Sequence, residues 1–270
     1  MSNHVNFERY VRDWGLTPDG NPIVTHSSHL LPVSRGGKQA MLKVAIVPEE
    51  KAGAELMIWW HGVGAARVLD HSDDAILLER ATGARSLAAM AEAGEDDAAS
   101  VIICNAVATL HRPRVAALPK LVPLSDWFRA LRAAPDNGIF ARCAEAAQML
   151  LADPRDVVPL HGDIHHGNIL DFGERGWLAI DPKGLKGERG FDYANLFCNP
   201  DHPIATAPGR LARQAHVVAE TAGLDRVRLL HWVLAWAWLS ATWLIEDGED
   251  KHVAPTLHVA EIAAAEIDKG

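Results

Sequence analysis

Cysteine is scarce and unpatterned in this chain. Cys104, Cys143 and Cys198 are three in 270 residues, odd in number and widely separated. They do not make a disulfide framework, and without a Cys-x-x-Cys pair a zinc ribbon is excluded. A reducing cytoplasm is the compartment that such usage points to. Basic excess is also missing, because 26 Lys and Arg stand against 35 Asp and Glu for a net charge of −9. A nucleic-acid-binding face needs the opposite balance, whereas an acidic surface suits a cationic partner. No apolar run reaches the ~20 residues of a membrane-spanning helix. The longest, residues 232–245, has 14 residues with indoles at 232, 236, 238 and 243, and it reads as a buried helix. The opening MSNHVNFERYVRDWG has no apolar stretch behind its charges and does not read as a signal peptide. There is no internal repeat. What remains, 49% hydrophobic and 23% charged residues, is enough to build a sizeable globular core.

The first third reads as strands with short turns. NPIVTHSSHLLPVSRGGKQAMLKVAIV predicts two strands around a Gly36-Gly37 hairpin. PEEKAGAELMIWWHG predicts a helix, with Pro48 and acids in its first turn and Gly62 near its stop. AARVLDHSDDAILLERATG reads as a second hairpin turning near Asp73 and Asp74. From about residue 84 the chain becomes alanine-rich and helical, over 84–92, 96–111 and 138–152, with a proline-bearing connection at 113–137. One compact β-rich stretch follows, VVPLHGDIHHGNILDFGERGWLAIDPKG, and then helices at 209–222, 226–246 and 253–268. The layout is therefore a small sheet with one helix over residues 1–82 and a larger, mostly helical part over 83–270. The first part carries a net charge of −2 and the second −7, so a cationic substrate should meet the helical part.

Chemistry concentrates in HGDIHHGN followed by WLAID. Asp163 follows an apolar strand end, and Asn168 lies five residues later on a loop closed by Gly167. Ile169 to Phe172 and Trp177 to Ile180 read as a hairpin around GERG, delivering Asp181 at the end of the returning strand. A loop and a strand end converge there on one point. Two carboxylates and an amide carbonyl suit Mg²⁺, which takes hard oxygen ligands together with phosphates and water. A base, an Asn a few residues on and an Asp at the next strand end form the layout of phosphoryl transfer.

These residues resemble the HGDxxxxN…D signature of the aminoglycoside phosphotransferases and their kinase-like relatives. LHGDIHHGNILDFGERGWLAIDPKGLKGERGFDYANLF is similar to the streptomycin 6-phosphotransferase branch, which groups with hydroxyurea kinases. THSSHLLPV, AMLKVA, WWHGVGAARV and LLERATG extend the likeness over nearly the whole chain. The resemblance implies an α+β, bilobal protein-kinase-like fold, with a β-rich nucleotide-binding lobe of residues 1–82 and a helical catalytic and substrate-binding lobe of residues 83–270. It implies an ATP-dependent kinase using Mg²⁺ and acting on a hydroxyl of streptomycin or a related cationic aminocyclitol. Asp163 is then the catalytic base, and Asn168 and Asp181 ligate Mg²⁺. Lys43 holds the α- and β-phosphates with Glu50 as its ion-pair partner and Glu55 in reserve. Glu79 and Ala81 offer backbone groups to the adenine. There is no G-x-G-x-x-G loop before Lys43, so His26, Ser27 and Ser28 form the turn over the phosphates. Asp-Phe-Gly is replaced by Asp181-Pro182-Lys183, and HRD and APE are missing, which argues against a protein kinase.

Other readings stand beside these. His161, Asp163, His165 and His166 crowd together as metal ligands do, but the order is not the HxHxDH of dinuclear hydrolases, and His165 and His166 read as loop residues. Lys43 also fits the exposed face of an edge strand. Asp192 reads as a residue that caps and orients a helix under the catalytic loop. Glu246, Asp247, Glu249 and Asp250 read as a solvated loop, or as a rim attracting an amine or guanidinium. Asp126 is a further candidate for that rim. The same fold also serves acceptors such as hydroxyurea, amino alcohols and sugar amines, and a nucleotide-binding regulator without catalysis is the alternative outside enzymes.

Overall fold

The structure is a computed structural model that describes residues 7–25, 27–47, 49–129, 131 and 138–269. Pro48 and His26 lie outside the described residues. In chain order the elements are α1 (Glu8–Asp13), β1 (Thr17–Pro18), β2 (Ile23–Val24), β3 (Ser28–Arg35), β4 (Lys38–Ala45), α2 (Glu49–Trp60), β5 (Val68–His71) and β6 (Ala75–Glu79). Then come α3 (Leu87–Glu92), α4 (Asp96–Leu110), β7 (Val122–Pro123), α5 (Leu124–Trp127), α6 (Gly138–Ala152), β8 (Val157–Leu160), β9 (Ile169–Asp171), β10 (Trp177–Ala179) and β11 (Leu185–Glu188). The chain ends with α7 (Phe191–Ala194), α8 (His202–Ala205), α9 (Arg210–Ala222), α10 (Arg226–Glu246) and α11 (Val253–Asp268).

The N-terminal lobe is an antiparallel sheet ordered β1-β3-β4-β6-β5, with β2 on β3. The β3–β4 hairpin turns through Gly36 and Gly37, at φ 58° and 77°. Two successive positive φ values define the tight turn whose twist suits a two-residue hairpin, and glycine adopts them without strain. Alternation along β4 decides where Lys43 points. Ala40, Leu42 and Val44 pack with Leu31, Val33 and Leu77 against Tyr10 of α1. The intervening residues Met41, Lys43 and Ala45 therefore face the other side of the sheet, toward α2. There Ile76 and Leu78 of β6 meet Leu56, Met57 and Trp60 of α2. The apolar core of α2 continues without a break into the helical lobe.

That lobe is built around α10, which packs on α6, α7, α9 and α11. Its tryptophans are core side chains: Phe191 meets Trp232 at 5.6 Å and Trp236 at 5.4 Å between ring centroids. Glu188 at the end of β11 is buried, and it accepts both guanidinium nitrogens of Arg228, at 2.7 and 2.6 Å, and the indole N–H of Trp232, at 2.8 Å. This pins the three-stranded sheet β7-β11-β8 to the start of α10. Cys104 and Cys143 are buried and free, and burial pushes both thiols up to about 12, so neither is a thiolate near neutrality. Among the described residues no helix is long and apolar enough to cross a membrane.

The structure differs from the sequence expectation at two places in the first hundred residues. Residues 8–13 form α1 where only strands were read. The helix expected over 84–92 begins at Leu87 instead, because Ser86 caps it, its hydroxyl accepting the Ala89 N–H at 3.3 Å.

Candidate active site

Asp163 sits on the loop between β8 and β9, and the start of that loop is held from below. The carboxylate of Asp192, on α7, accepts the N–H of His161 at 2.9 Å and that of Gly162 at 2.7 Å. His111, the cap residue that ends α4, reaches the same carboxylate at 2.7 Å. Asp192 thus holds the catalytic loop directly; it does not cap its own helix, the role its sequence position suggested, because Gly190 occupies the cap. Gly162 has φ 86°, and a Cβ there would lie 2.8 Å from Leu185, so only glycine fits. His161 is fully buried, and burial pushes its pKa down. The neutral ring donates from Nε2 to the carbonyl of Ile180 at 2.7 Å and accepts the N–H of Asp163 at Nδ1, 3.2 Å. One imidazole therefore ties the Asp163 loop to the strand end that carries Asp181.

The hairpin β9–β10 delivers Asp181 as read from the sequence. Ile180 donates to the carbonyl of Asn168 at 2.9 Å. Asp181 adopts φ 60°, a left-handed backbone that Asp tolerates better than most residues and that gathers at functional sites. Asn168 donates its amide N–H to the backbone oxygen of Asp163 at 2.9 Å, which leaves the carbonyl end of the amide for a cation.

Lys43 forms ion pairs with both Glu50 and Asp181. Lys43 and Glu50 are nearly buried, at 8% and 7% exposure, and a buried ammonium persists only when it is paired. An edge-strand lysine in solvent is thereby excluded for Lys43. Glu55 is exposed on the outer face of α2, so Glu50 alone fills the partner role. The contact between α2 and the Asp181 loop is backbone-close: a Cβ on Gly53 would lie 2.0 Å from the carbonyl oxygen of Pro182.

Lys183 was not singled out in the sequence. Its ammonium lies 3.5 Å from Asp163 Oδ2 and 3.7 Å from Asp181 Oδ2. Burial disfavours its charge, but Asp181, Asp163 and Glu50 outweigh that and raise its pKa. Asn195 was missed as well, and its amide donates to Asp163 Oδ1 at 2.9 Å. The signal for Lys183 was its place directly after the Asp181-Pro182 step. Asn195 gave none without the tertiary fold.

The remaining candidates lie further out. The backbone oxygen of Ser27 accepts the N–H of Ile46 at 2.9 Å. Ser28 is buried, and both its N–H and its hydroxyl are turned onto Thr25 Oγ1, at 3.0 and 3.1 Å. The N–H and hydroxyl of Ser28 are thus spent inside the turn. Glu79 ends β6 and Ala81 follows it. The Glu79 carboxylate is committed to Arg175 and to the N–H of Arg67, so it ties the sheet to the β9–β10 hairpin, and its own N–H donates to the Arg67 carbonyl at 3.0 Å. His165 and His166 are both pushed down by burial, His166 to about 4. His166 is a buried residue, 3% exposed, rather than an open loop residue. Asp126, Glu246, Asp247, Glu249 and Asp250 are exposed, and Trp127 against Trp243 at 5.0 Å brings α5 beside the end of α10.

Among the described residues no three His, Cys, Asp or Glu side chains gather as a metal cage. The Asn168 carbonyl and the Asp181 carboxylate are a sparse all-oxygen donor set, which fits Mg²⁺ completed by phosphates and water.

The connection that follows the N-terminal lobe is tied down at Asp171. Gly83 donates to its backbone oxygen at 2.9 Å, and Arg85 holds its carboxylate through two bonds of 2.8 and 3.2 Å. Arg85 depresses the Asp171 pKa to about 2. The folded pKa lies below the ordinary value of 3.8, so the pair stabilises above that value and loses its effect as pH falls toward 2. Arg85→Gln is expected to lower the urea midpoint at pH 6, with the gap to wild type narrowing below about pH 4 and closing only as pH falls toward 2. A constant gap across that range would refute this account of the joint.

The architecture, a β-rich lobe over a helical lobe with this loop between them, defines the class as a protein-kinase-like fold. The crystal structure of aminoglycoside phosphotransferase APH(4)-Ia aligns with a TM-score of 0.69 over 96% of this chain and 97% of that one, at 15% identity. The profile of the aminoglycoside/hydroxyurea antibiotic resistance kinase family matches residues 13–248, and the chain belongs to that family. A streptomycin 3''-kinase of Klebsiella pneumoniae is 50% identical over 258 residues, 93% of this chain and 97% of the relative. A streptomycin 6-kinase of Streptomyces glaucescens is 33% identical, covering 89% and 82% of the two chains.

Proposed function

We propose that this protein transfers the γ-phosphoryl group of ATP to a hydroxyl of streptomycin, giving resistance to it. The observation that carries the reading is the convergence at Lys183: one ammonium within 4 Å of both Asp163 and Asp181 sets the two carboxylates at one point of the inter-lobe crevice. Asp163 accepts a hydrogen bond from the acceptor hydroxyl, aims it in line and takes its proton as the new bond forms. Lys43, held by Glu50, binds the α- and β-phosphates. Asn168 and Asp181 hold Mg²⁺, which when bound neutralises phosphate charge. Ser27 covers the phosphates through its backbone N–H, while Ser28, whose N–H and hydroxyl are spent on Thr25, shapes the turn instead of binding phosphate; Glu79 and Ala81 meet the adenine through main-chain atoms. The division at residues 82 and 83, beside the Gly83–Asp171 contact, separates the nucleotide lobe from the acceptor lobe. The family and the streptomycin kinases among its relatives support this acceptor, as does the negative charge of the helical lobe. Free thiols and the need for ATP support a cytoplasmic site of action. The acceptor position expected from the sequence is the 6-hydroxyl; the 50% identity to a 3''-kinase favours the 3'' position as a second reading.

Incubation with Mg-ATP and streptomycin is expected to add the mass of one phosphate, and phosphorus–proton correlation NMR of the product assigns the hydroxyl. No mass gain with streptomycin, but a gain with hydroxyurea or an amino alcohol, overturns the acceptor. ATP binding with no transfer to any of them overturns the enzyme.

A further inference from the structure

We propose that Asn195 is a positioning residue for the carboxylate of Asp163, and that Asn199 sets which end of the Asn195 amide faces it. The inference deepens the function above and rests on Asp163 being the base.

Asn195 begins a 3₁₀ turn directly after α7 and is 7% exposed. Its Nδ2 donates to Asp163 Oδ1 at 2.9 Å. An amide can in principle present either end, and a carbonyl turned toward a carboxylate would repel it. The neighbour removes that choice. Asn199 Nδ2 donates at 2.9 Å to Asn195 Oδ1 and at 2.9 Å to the Asn195 backbone oxygen. With its oxygen already facing a donor, the Asn195 amide can only turn its N–H toward Asp163.

The same short segment thus holds the catalytic loop twice. Asp192 grips the loop backbone through His161 and Gly162, and Asn195, three residues on, grips the side chain that the loop presents. The two oxygens of Asp163 are then unequal. Oδ1 is bound by a locked neutral amide at 2.9 Å. Oδ2 has Lys183 at 3.5 Å, beyond ordinary hydrogen-bond length. Oδ2 is therefore the oxygen that receives the hydroxyl of the acceptor.

The test compares Asn195→Ala with the isosteric Asn195→Asp. If the residue only fills space, the isostere is the milder change. If its polarity aims the base, the isostere is the worse one, because it sets an acceptor against an acceptor. With Mg-ATP and streptomycin, Asn195→Ala is expected to lower kcat by about 10–100-fold, the scale of one hydrogen bond to a charged group. Asn195→Asp should fall at least tenfold further, with KM for ATP within about threefold in both. Asn199→Leu, which frees the amide without adding charge, should lower kcat to a smaller extent. Equal or higher kcat in Asn195→Asp than in Asn195→Ala overturns the proposal, and so does wild-type kcat in Asn195→Ala. Asp163→Ala, run alongside, separates the levels. If it turns over normally, the base assignment falls and this inference with it. If it is inactive while the Asn195 variants are unaffected, the inference alone falls. Wild-type protein without turnover overturns the function itself.

Discussion

Asp163→Asn is expected to lower kcat by about 10²–10⁴-fold, the contribution of a positioned general base, while KM for ATP stays within a few-fold. The substitution keeps the size of the side chain, and the new amide carbonyl can still accept from Asn195. What is lost is the negative charge and the ability to take a proton. In a loose phosphoryl-transfer transition state proton removal comes late, so much of the loss reflects poorer aim of the hydroxyl. Lys183 decides the lower bound. It loses one of its two carboxylate neighbours, and its charge then pulls toward Asp181 alone, shifting the remaining geometry. Stability should be nearly unchanged, because Asp163 is a cleft residue and the loop backbone hangs on Asp192. Steady-state turnover with streptomycin, together with a thermal melt, checks both halves. A variant within tenfold of wild type would remove Asp163 from the mechanism.

The parts of the molecule legible in the sequence are those whose signal is local. The β3–β4 hairpin was written in Gly36-Gly37, and α10 and α11 have the bounds that their apolar periodicity gave, 226–246 and 253–268. The loop with Asp163 and Asn168 and the strand end with Asp181 were readable because one hairpin, closed by Gly173 and Gly176, sets their spacing. Lys43 and Glu50 came from the resemblance, and the pairing of those two is now explained by alternation in β4, which turns Lys43 away from the Tyr10 core. What could not be read depends on contacts across long separations. Asn195 acts on a residue 32 positions earlier, and Arg85 on one 86 positions later. Helix α1 is six residues long, too short to show a period, and its fold follows from packing Tyr10 on the sheet. The acceptor rim is exposed and charged, and charge alone does not show which exposed residues face a ligand.

Gly53→Ala carries the second large effect, and simple propensity gives it the wrong sign. Gly53 is inside α2, where alanine is favoured over glycine by ~0.5–1 kcal/mol. Against that gain stands the contact with the Asp181 loop. A Cβ at residue 53 would sit 2.0 Å from the Pro182 oxygen and 3.1 Å from its carbon, and a Cβ on Gly184 would sit 2.5 Å from the backbone of Ala52. Neither side can yield through a side-chain rotation, because both surfaces are backbone. Forcing a methyl into such a contact costs ~1–3 kcal/mol, so the clash wins, and α2 must shift away from the loop. That shift separates Glu50 on the helix from Asp181 on the loop, the two carboxylates that hold Lys43. A displacement of ~1 Å at reacting groups is worth about 10²-fold in rate. The expected result is kcat/KM for ATP down by about 10²-fold, weaker binding of a non-hydrolysable ATP analogue by calorimetry, and only a small change in melting temperature. Glu55→Ala, on the exposed face of the same helix, should leave all three near wild type. If Gly53→Ala instead melts higher and keeps its kcat/KM, the helix and the loop are not held at backbone distance, and the fixed Lys43–Glu50–Asp181 arrangement would have no structural cause.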